Sequence, residues 1–176
     1  MTYGTSARSW AYYTDLAERL IVANGVSKTY AMTGYRIGWM MCKNASFIAA
    51  CIRLQSQQFT CATMIAQKAA EAALTADQEK VSYLRAEFQE RRDLICRLAR
   101  EVKGWRFVEP QGAFYLFPDV SAIGDGDKVA EMLLEKAHVA VVSGSAFGDP
   151  SCIRLSFAIG NEAIIEAMHR IKTALV

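Results

Sequence analysis

From residues 77 to 102 the chain places Val81, Leu84, Phe88, Ile95 and Leu98 on one helical face, the spacing of a long amphipathic helix. Gly104 is its stop signal. Its acidic start (Asp77, Glu79) and basic middle and end (Arg91, Arg92, Arg97, Arg100) suit the helix dipole. Beyond Gly104 the pattern alternates strand and helix. Residues 105–108 and 113–117 read as strands, 127–138 as a helix with Val129, Leu133 and Ala137 inward, and 139–142 and 152–158 as strands. Asn161 is expected to cap a last helix with the stripe Ile164, Ile165, Met168, Ile171 and Leu175. Residues 77–176 therefore supply enough elements for an α/β unit.

The preceding residues are less complete. Residues 1–13 have no clear period, and residues 14–19 read as a short helical turn with Thr14 as its N-cap. The run 20–23 is apolar throughout, as a buried parallel strand tends to be. Residues 37–42 are a second such run, the pattern turns helical from 45 and loses its apolar stripe at 55–58, and 63–74 read as a second helix. Two strands do not make a domain, so residues 1–44 are expected to be part of a larger domain lying mostly upstream, and the chain a fragment.

Composition excludes several classes. Of 176 residues, 52% are hydrophobic and 22% charged, an ordinary globular balance. The net charge of +2, from 20 basic and 18 acidic residues, gives no reason to expect a nucleic-acid partner. No apolar run is long enough for a membrane span, and no signal peptide is evident. Cys42, Cys51, Cys61, Cys96 and Cys152 form no C-x-x-C pair, and the histidines are His138 and His169 only. No zinc site of common spacing results, and buried reduced thiols in a cytoplasmic protein are expected. Both histidines fall near helix ends, where a surface role is expected.

The chemistry concentrates in residues 24–38, where a Gly-containing turn presents Ser27 and Lys28 and Arg36 follows eight residues later. A lysine amine becomes a nucleophile or base when burial or a nearby cation lowers its pKa, and an arginine fork suits an anion. Phosphate-loop, dinucleotide and nucleophile-elbow motifs fail. Lys28-Thr29 has Ser27 where glycine is required, Gly124-Asp125-Gly126 lacks the third glycine, and residues 144–148 are not G-x-S-x-G.

Residues 24–38, with Lys28, Met32-Thr33-Gly34 and Arg36, resemble the cofactor-lysine signature of class I/II aminotransferases, the aspartate aminotransferase-like enzymes of fold type I. Three further matches keep their order. Gln55-Ser56-Gln57 followed by Thr60 is similar to the family's inter-domain helix, and residues 110–115 (PQGAFY) to its small-domain hairpin. Residues 145–148 (SAFG) followed by 153–158 (IRLSFA) resemble the segment with its substrate arginine.

The resemblance implies an α/β fold in three parts: residues 1–44 as the end of the large-domain sheet, 45–76 as linking helices, and 77–176 as the small C-terminal domain. It implies pyridoxal 5'-phosphate as cofactor, with Lys28 forming the Schiff base and shuttling the substrate proton. Arg36 would bind the cofactor phosphate, with Ser27 as a second contact. Arg154 would take the α-carboxylate of an amino acid or 2-oxo acid substrate, aspartate-type or broad. A homodimer with residues 55–63 near its interface is also implied, with neither nucleic acid nor membrane as partner. Tyr35 stands where the family more often has tryptophan, and Cys61-Ala62-Thr63 where the aspartate-type pattern has Ser-Asn-Pro. The family's partner for the pyridine nitrogen lies upstream of the position matching Met1, so the 176 residues alone are expected to be inactive. The alternative is an aminotransferase-like, cofactor-binding effector domain of a transcription regulator, and a related lyase or synthase on the same scaffold also stays open.

Overall fold

A computed structural model describes residues 1–175. It divides into two compact units, residues 6–82 and residues 1–5 joined with 83 onward.

In the first unit, 3-10 turns at Trp10–Tyr12 and Thr14–Leu16 precede a hairpin. Tyr13, not Thr14, occupies the cap position of the second turn. Strand β1 (Ile21–Gly25) pairs antiparallel with β2 (Gly38–Cys42), in the register Ile21↔Cys42 to Gly25↔Gly38. The expectation of a buried parallel strand is thus corrected. An all-apolar run needs cover on both faces, yet Ile21 and Met41 are each about half exposed. Helix α1 (Ala45–Gln58) starts where the Asn44 side chain accepts the Phe47 N–H at 3.0 Å. Helix α2 (Met64–Thr75) buries Ala66 and Ala70. With Val26, these are the buried apolar residues of the unit among those described.

The second unit carries the core. Helix α3 (Glu79–Ala99) is followed by β3 (Tyr115–Leu116), α4 (Gly126–Ala137), β4 (Val142–Ser143), β5 (Ile153–Ser156) and α5 (Asn161–Ala174). The sheet order is β3-β5-β4, with both pairings antiparallel. Strand β5 alternates as a half-buried strand should. Ile153 and Leu155 point into the core, as does Phe157 just beyond the strand, while Arg154 and Ser156 alternate with them. Ile95, Cys96 and Ala99 of α3, Val129, Leu133 and Ala137 of α4, and Ile164, Met168 and Ile171 of α5 close over that face.

Several boundaries differ from expectation. Residues 105–108 form no strand: Trp105 is buried, Val108 is 89% exposed, and the backbone makes a single bridge, Arg106↔Asp119. The strand expected at 139–142 shrinks to Val142–Ser143, because His138 ends α4 in the left-handed region at φ 54° and redirects the chain. Asn161 does not cap α5. It is the first helical residue, Gly160 holds the cap position, and no side-chain cap bond forms. Ile165 is half exposed rather than part of the buried stripe. Arg92 is buried, so it does more than balance a helix dipole. Its guanidinium lies over the Tyr3 ring at 5.2 Å, donates to the Pro110 carbonyl at 3.1 Å and pairs with Glu109 at 3.1 Å. The Tyr3 N–H donates to the Gln111 carbonyl at 2.8 Å, which fastens residues 1–5 to this unit. All five cysteines are free, but only Cys96 and Cys152 are buried; Cys61 is exposed. Burial pushes the Cys96 thiol up to about 11.

Asp119 anchors the turn after β3. Its carboxylate accepts the Ser121 N–H at 2.8 Å and pairs with Arg106 at 2.7 Å. Hydrogen bonds from Ser121, then Arg106, hold its carboxyl at about 2. A lowered folded-state pKa gives stability that is present above the ordinary aspartate value of about 3.9 and lost as pH falls through the folded value. Urea unfolding between pH 6 and pH 2 should therefore show an acid-side loss that is smaller in Asp119→Asn. An equal loss in both proteins would remove Asp119 as its source.

Candidate active site

Three of the four expected site residues meet at the end of the β1–β2 hairpin. A cleft of 410 Å³ there is lined by Asn24, Gly25, Ser27, Lys28, Thr29, Arg36, Ile37 and Gly38. Glycine at two of these positions lets the strands close. A Cβ on Gly25 would meet the Ile37 carbonyl oxygen at 2.8 Å, and one on Gly38 would meet that of Asn24 at 3.0 Å. Neither approach tolerates a side chain without moving backbone.

Past Gly25 the chain turns at Val26, which is fully buried and anchors the loop that presents Ser27 and Lys28. Lys28 is exposed in the described residues and Ser27 part-buried. The chain returns through a 3-10 turn at Thr33–Tyr35, and Arg36 follows it in the left-handed region at φ 56°. That conformation is unfavourable for a residue with a Cβ and persists where surrounding structure demands it. One guanidinium nitrogen, Nη1, donates to the Thr33 carbonyl at 2.8 Å. This bond anchors the head group and leaves N–H groups for a ligand.

The lining contains two cations and two hydroxyls and no carboxylate among the described residues. Such a donor set suits a phosphate. A larger cleft of 620 Å³ in the same unit is lined in part by Trp39, Gln55, Cys61, Ala62 and Gln67. Cys61 and Ala62, two of the residues that depart from the aspartate-type pattern, therefore face a cavity.

Arg154, the fourth expected residue, belongs to the second unit and sits at the middle of its sheet. Strand β5 is central, so Arg154 is not an edge-strand arginine. Its guanidinium carbon lies 4.3 Å from the Tyr115 ring centroid and 4.2 Å from that of Phe147. No ion pair to Arg154 occurs among the described residues, whereas Arg92, Arg100, Arg106 and Arg170 each have an acidic partner. Sequence reasoning did not single out Tyr115 and Phe147. The signal available was an aromatic in each of the two motifs, PQGAFY and SAFG, that flank the arginine strand.

No group of three or more His, Cys, Asp or Glu able to hold a metal occurs among the described residues, and no described helix is long and apolar enough to cross a membrane.

The model of the family "Aminotransferase class I and II" matches residues 1–171. The bifunctional aspartate aminotransferase and glutamate/aspartate-prephenate aminotransferase of Petunia hybrida is 41% identical, over 96% of this chain and 38% of its own length. The aspartate aminotransferase of Streptomyces avermitilis is 42% identical over 92% of this chain and 42% of its own. The crystal structure of the aspartate aminotransferase from Rhizobium meliloti superposes with a TM-score of 0.94 at 35% identity, covering 99% of this chain and 46% of that one. The chain thus spans less than half the length of these relatives. Sequence and fold agree, and the chain belongs to the class I and II aminotransferase family.

Proposed function

We propose that this chain is the C-terminal portion of a pyridoxal 5'-phosphate-dependent aminotransferase that moves an amino group from an amino acid, aspartate-type or broad, to a 2-oxo acid. The observation that carries this reading is the cleft joining Ser27, Lys28 and Arg36 at one end of the hairpin. The named relatives supply the aspartate-type preference. In this reading residues 1–44 end the large domain, 45–76 link, and 77–176 form the small domain. The complete protein would work as a homodimer.

Bound pyridoxal phosphate supplies an electron sink that acidifies the substrate Cα–H. The chain's own residues do the rest. Arg36, held by its bond to Thr33, would hold phosphate oxygens through its remaining N–H groups, with the Ser27 hydroxyl as a further donor. Lys28 would hold the cofactor through its amine. The same amine would be placed to remove and return the substrate Cα proton, a gain from proximity. Arg154 pairs with the substrate α-carboxylate and so orients the Cα–H bond.

The test is amino transfer from L-aspartate to 2-oxoglutarate by the complete protein with pyridoxal phosphate. Glutamate and oxaloacetate should form, and the 176-residue chain alone should give none. Cofactor uptake by the complete protein without transfer between any amino acid and 2-oxo acid would overturn the enzymatic reading.

A further inference from the structure

Arg154 lies against two aromatic rings, and no acid pairs with it among the described residues. Tyr115 reaches it from β3 and Phe147 from the 3-10 turn Gly144–Phe147 after β4. Each ring is itself supported. Phe114 lies against Tyr115 with centroids 4.5 Å apart, and Phe88 against Phe114 at 5.9 Å. Phe117 meets Phe147 edge-on, with centroids 6.1 Å apart. The guanidinium therefore sits within a cluster of aromatic groups.

We infer that Tyr115 and Phe147 are positioning residues that fix the plane of the Arg154 guanidinium, so that it offers a two-pronged edge to a substrate carboxylate. The inference rests on the proposed role of Arg154 as the carboxylate-binding residue. A guanidinium is planar, and its N–H groups all point outward within that plane. Rings over its faces attract the cation and leave the in-plane donors uncommitted. Moving the head group away would lose both ring contacts at once. An acidic neighbour would also hold the arginine, but it would occupy the donors that a substrate needs, and none pairs with it among the described residues. Lysine offers no plane to stack and no fork, so it cannot replace the arginine here.

The test uses the complete protein loaded with pyridoxal phosphate. It measures the dissociation constant of 2-methyl-L-aspartate, which has no Cα–H to lose, from the change in visible absorbance. Isopropylamine, which lacks the carboxylate, is the control ligand. Tyr115→Leu and Phe147→Leu should each weaken the amino acid about tenfold, within the range that loss of a cation–π contact produces, and leave isopropylamine unchanged. Phe147→Tyr and Tyr115→Phe should restore tight binding. In an Arg154→Lys background, Phe147→Leu should weaken binding no further. Phe147 is 48% exposed, so its leucine variant keeps the core and decides the matter alone if Tyr115→Leu fails to fold. Wild-type affinity in Phe147→Leu, with weakened binding in Arg154→Ala, would overturn the positioning role while leaving the carboxylate-binding role of Arg154 intact. Unchanged affinity in Arg154→Ala itself would overturn both.

Discussion

Replacing Lys28 with alanine in the complete protein will abolish the visible absorbance band that marks covalently attached pyridoxal phosphate. It will also lower amino transfer by about four orders of magnitude, the upper end of what a positioned acid–base group contributes. Two functions converge on one amine in the proposed mechanism, attachment of the cofactor and movement of the substrate proton, so no other group in the cleft substitutes. Ser27 and Thr29 are hydroxyls, and Arg36 is a guanidinium that stays charged. Lys28→Arg is the sharper control. It keeps a cation in the cleft and so preserves attraction for phosphate, but it provides no neutral amine, and it should lose the band as alanine does. Non-covalent binding of the cofactor should survive in the arginine variant. An attached-cofactor band that persists in Lys28→Ala would refute the assignment of this lysine.

Phe157→Ala will destabilise the unit containing residues 83 onward by about 4 kcal/mol, the usual cost of deleting a buried aromatic ring. Phe157 is completely buried, and its N–H donates to the Phe114 carbonyl at 2.9 Å, which keeps the backbone fixed after the ring is gone. The core around it is contributed by α3, α4, α5 and the sheet, so collapse onto the vacated volume would have to move several elements together. Ile165→Ala, at a half-exposed position on α5, is the matched comparison and should stay within about 1 kcal/mol. Urea unfolding followed by far-ultraviolet circular dichroism reads both. A Phe157→Ala midpoint equal to that of Ile165→Ala would show that the site relaxes freely and that the unit is loosely packed. Phe157 acts through the core and Arg154 through the other side of the same segment, so Phe157→Ala should affect stability before it affects substrate affinity.

The helices are legible in the sequence because periodicity reports directly on burial. Val129, Leu133 and Ala137 on α4, and Ile164, Met168 and Ile171 on α5, are buried as their spacing implies. Strand β5 is legible for the same reason. Ile153, Leu155 and Phe157 alternate with Arg154, and this is the pattern of a strand with one covered face. Short strands are harder. Trp105 and Phe107 have the composition of a strand, but pairing is a property of two segments, and only Arg106 finds a bridge partner. The hairpin illustrates the same limit. The run 20–23 indicates that apolar cover suits both faces of β1, but not which direction its partner runs. Capping misleads at Thr14 and Asn161, where a favourable cap residue lies one position inside the helix it was expected to start.

In the candidate site, spacing places Ser27, Lys28 and Arg36 on one loop, and the hairpin register brings them to one cleft. The setting of Arg154 cannot be read that way. Tyr115, Phe147 and Arg154 are separated in sequence and meet only because β3 and β4 flank β5. Arg92 is equally hidden. A basic residue in a helix reads as a solvated one until the Tyr3 ring and the Pro110 carbonyl are seen against it.

The left-handed backbone at Arg36 sets stability against use at a single position. Glycine there would relax the turn, and asparagine would tolerate it better than arginine does. Selection for heat tolerance alone would therefore drift this residue toward glycine or asparagine and discard the proposed anion clamp without disturbing the hairpin. A stabilised variant of this protein has to be chosen with position 36 held constant, since the most comfortable residue for the fold is one that cannot hold a phosphate.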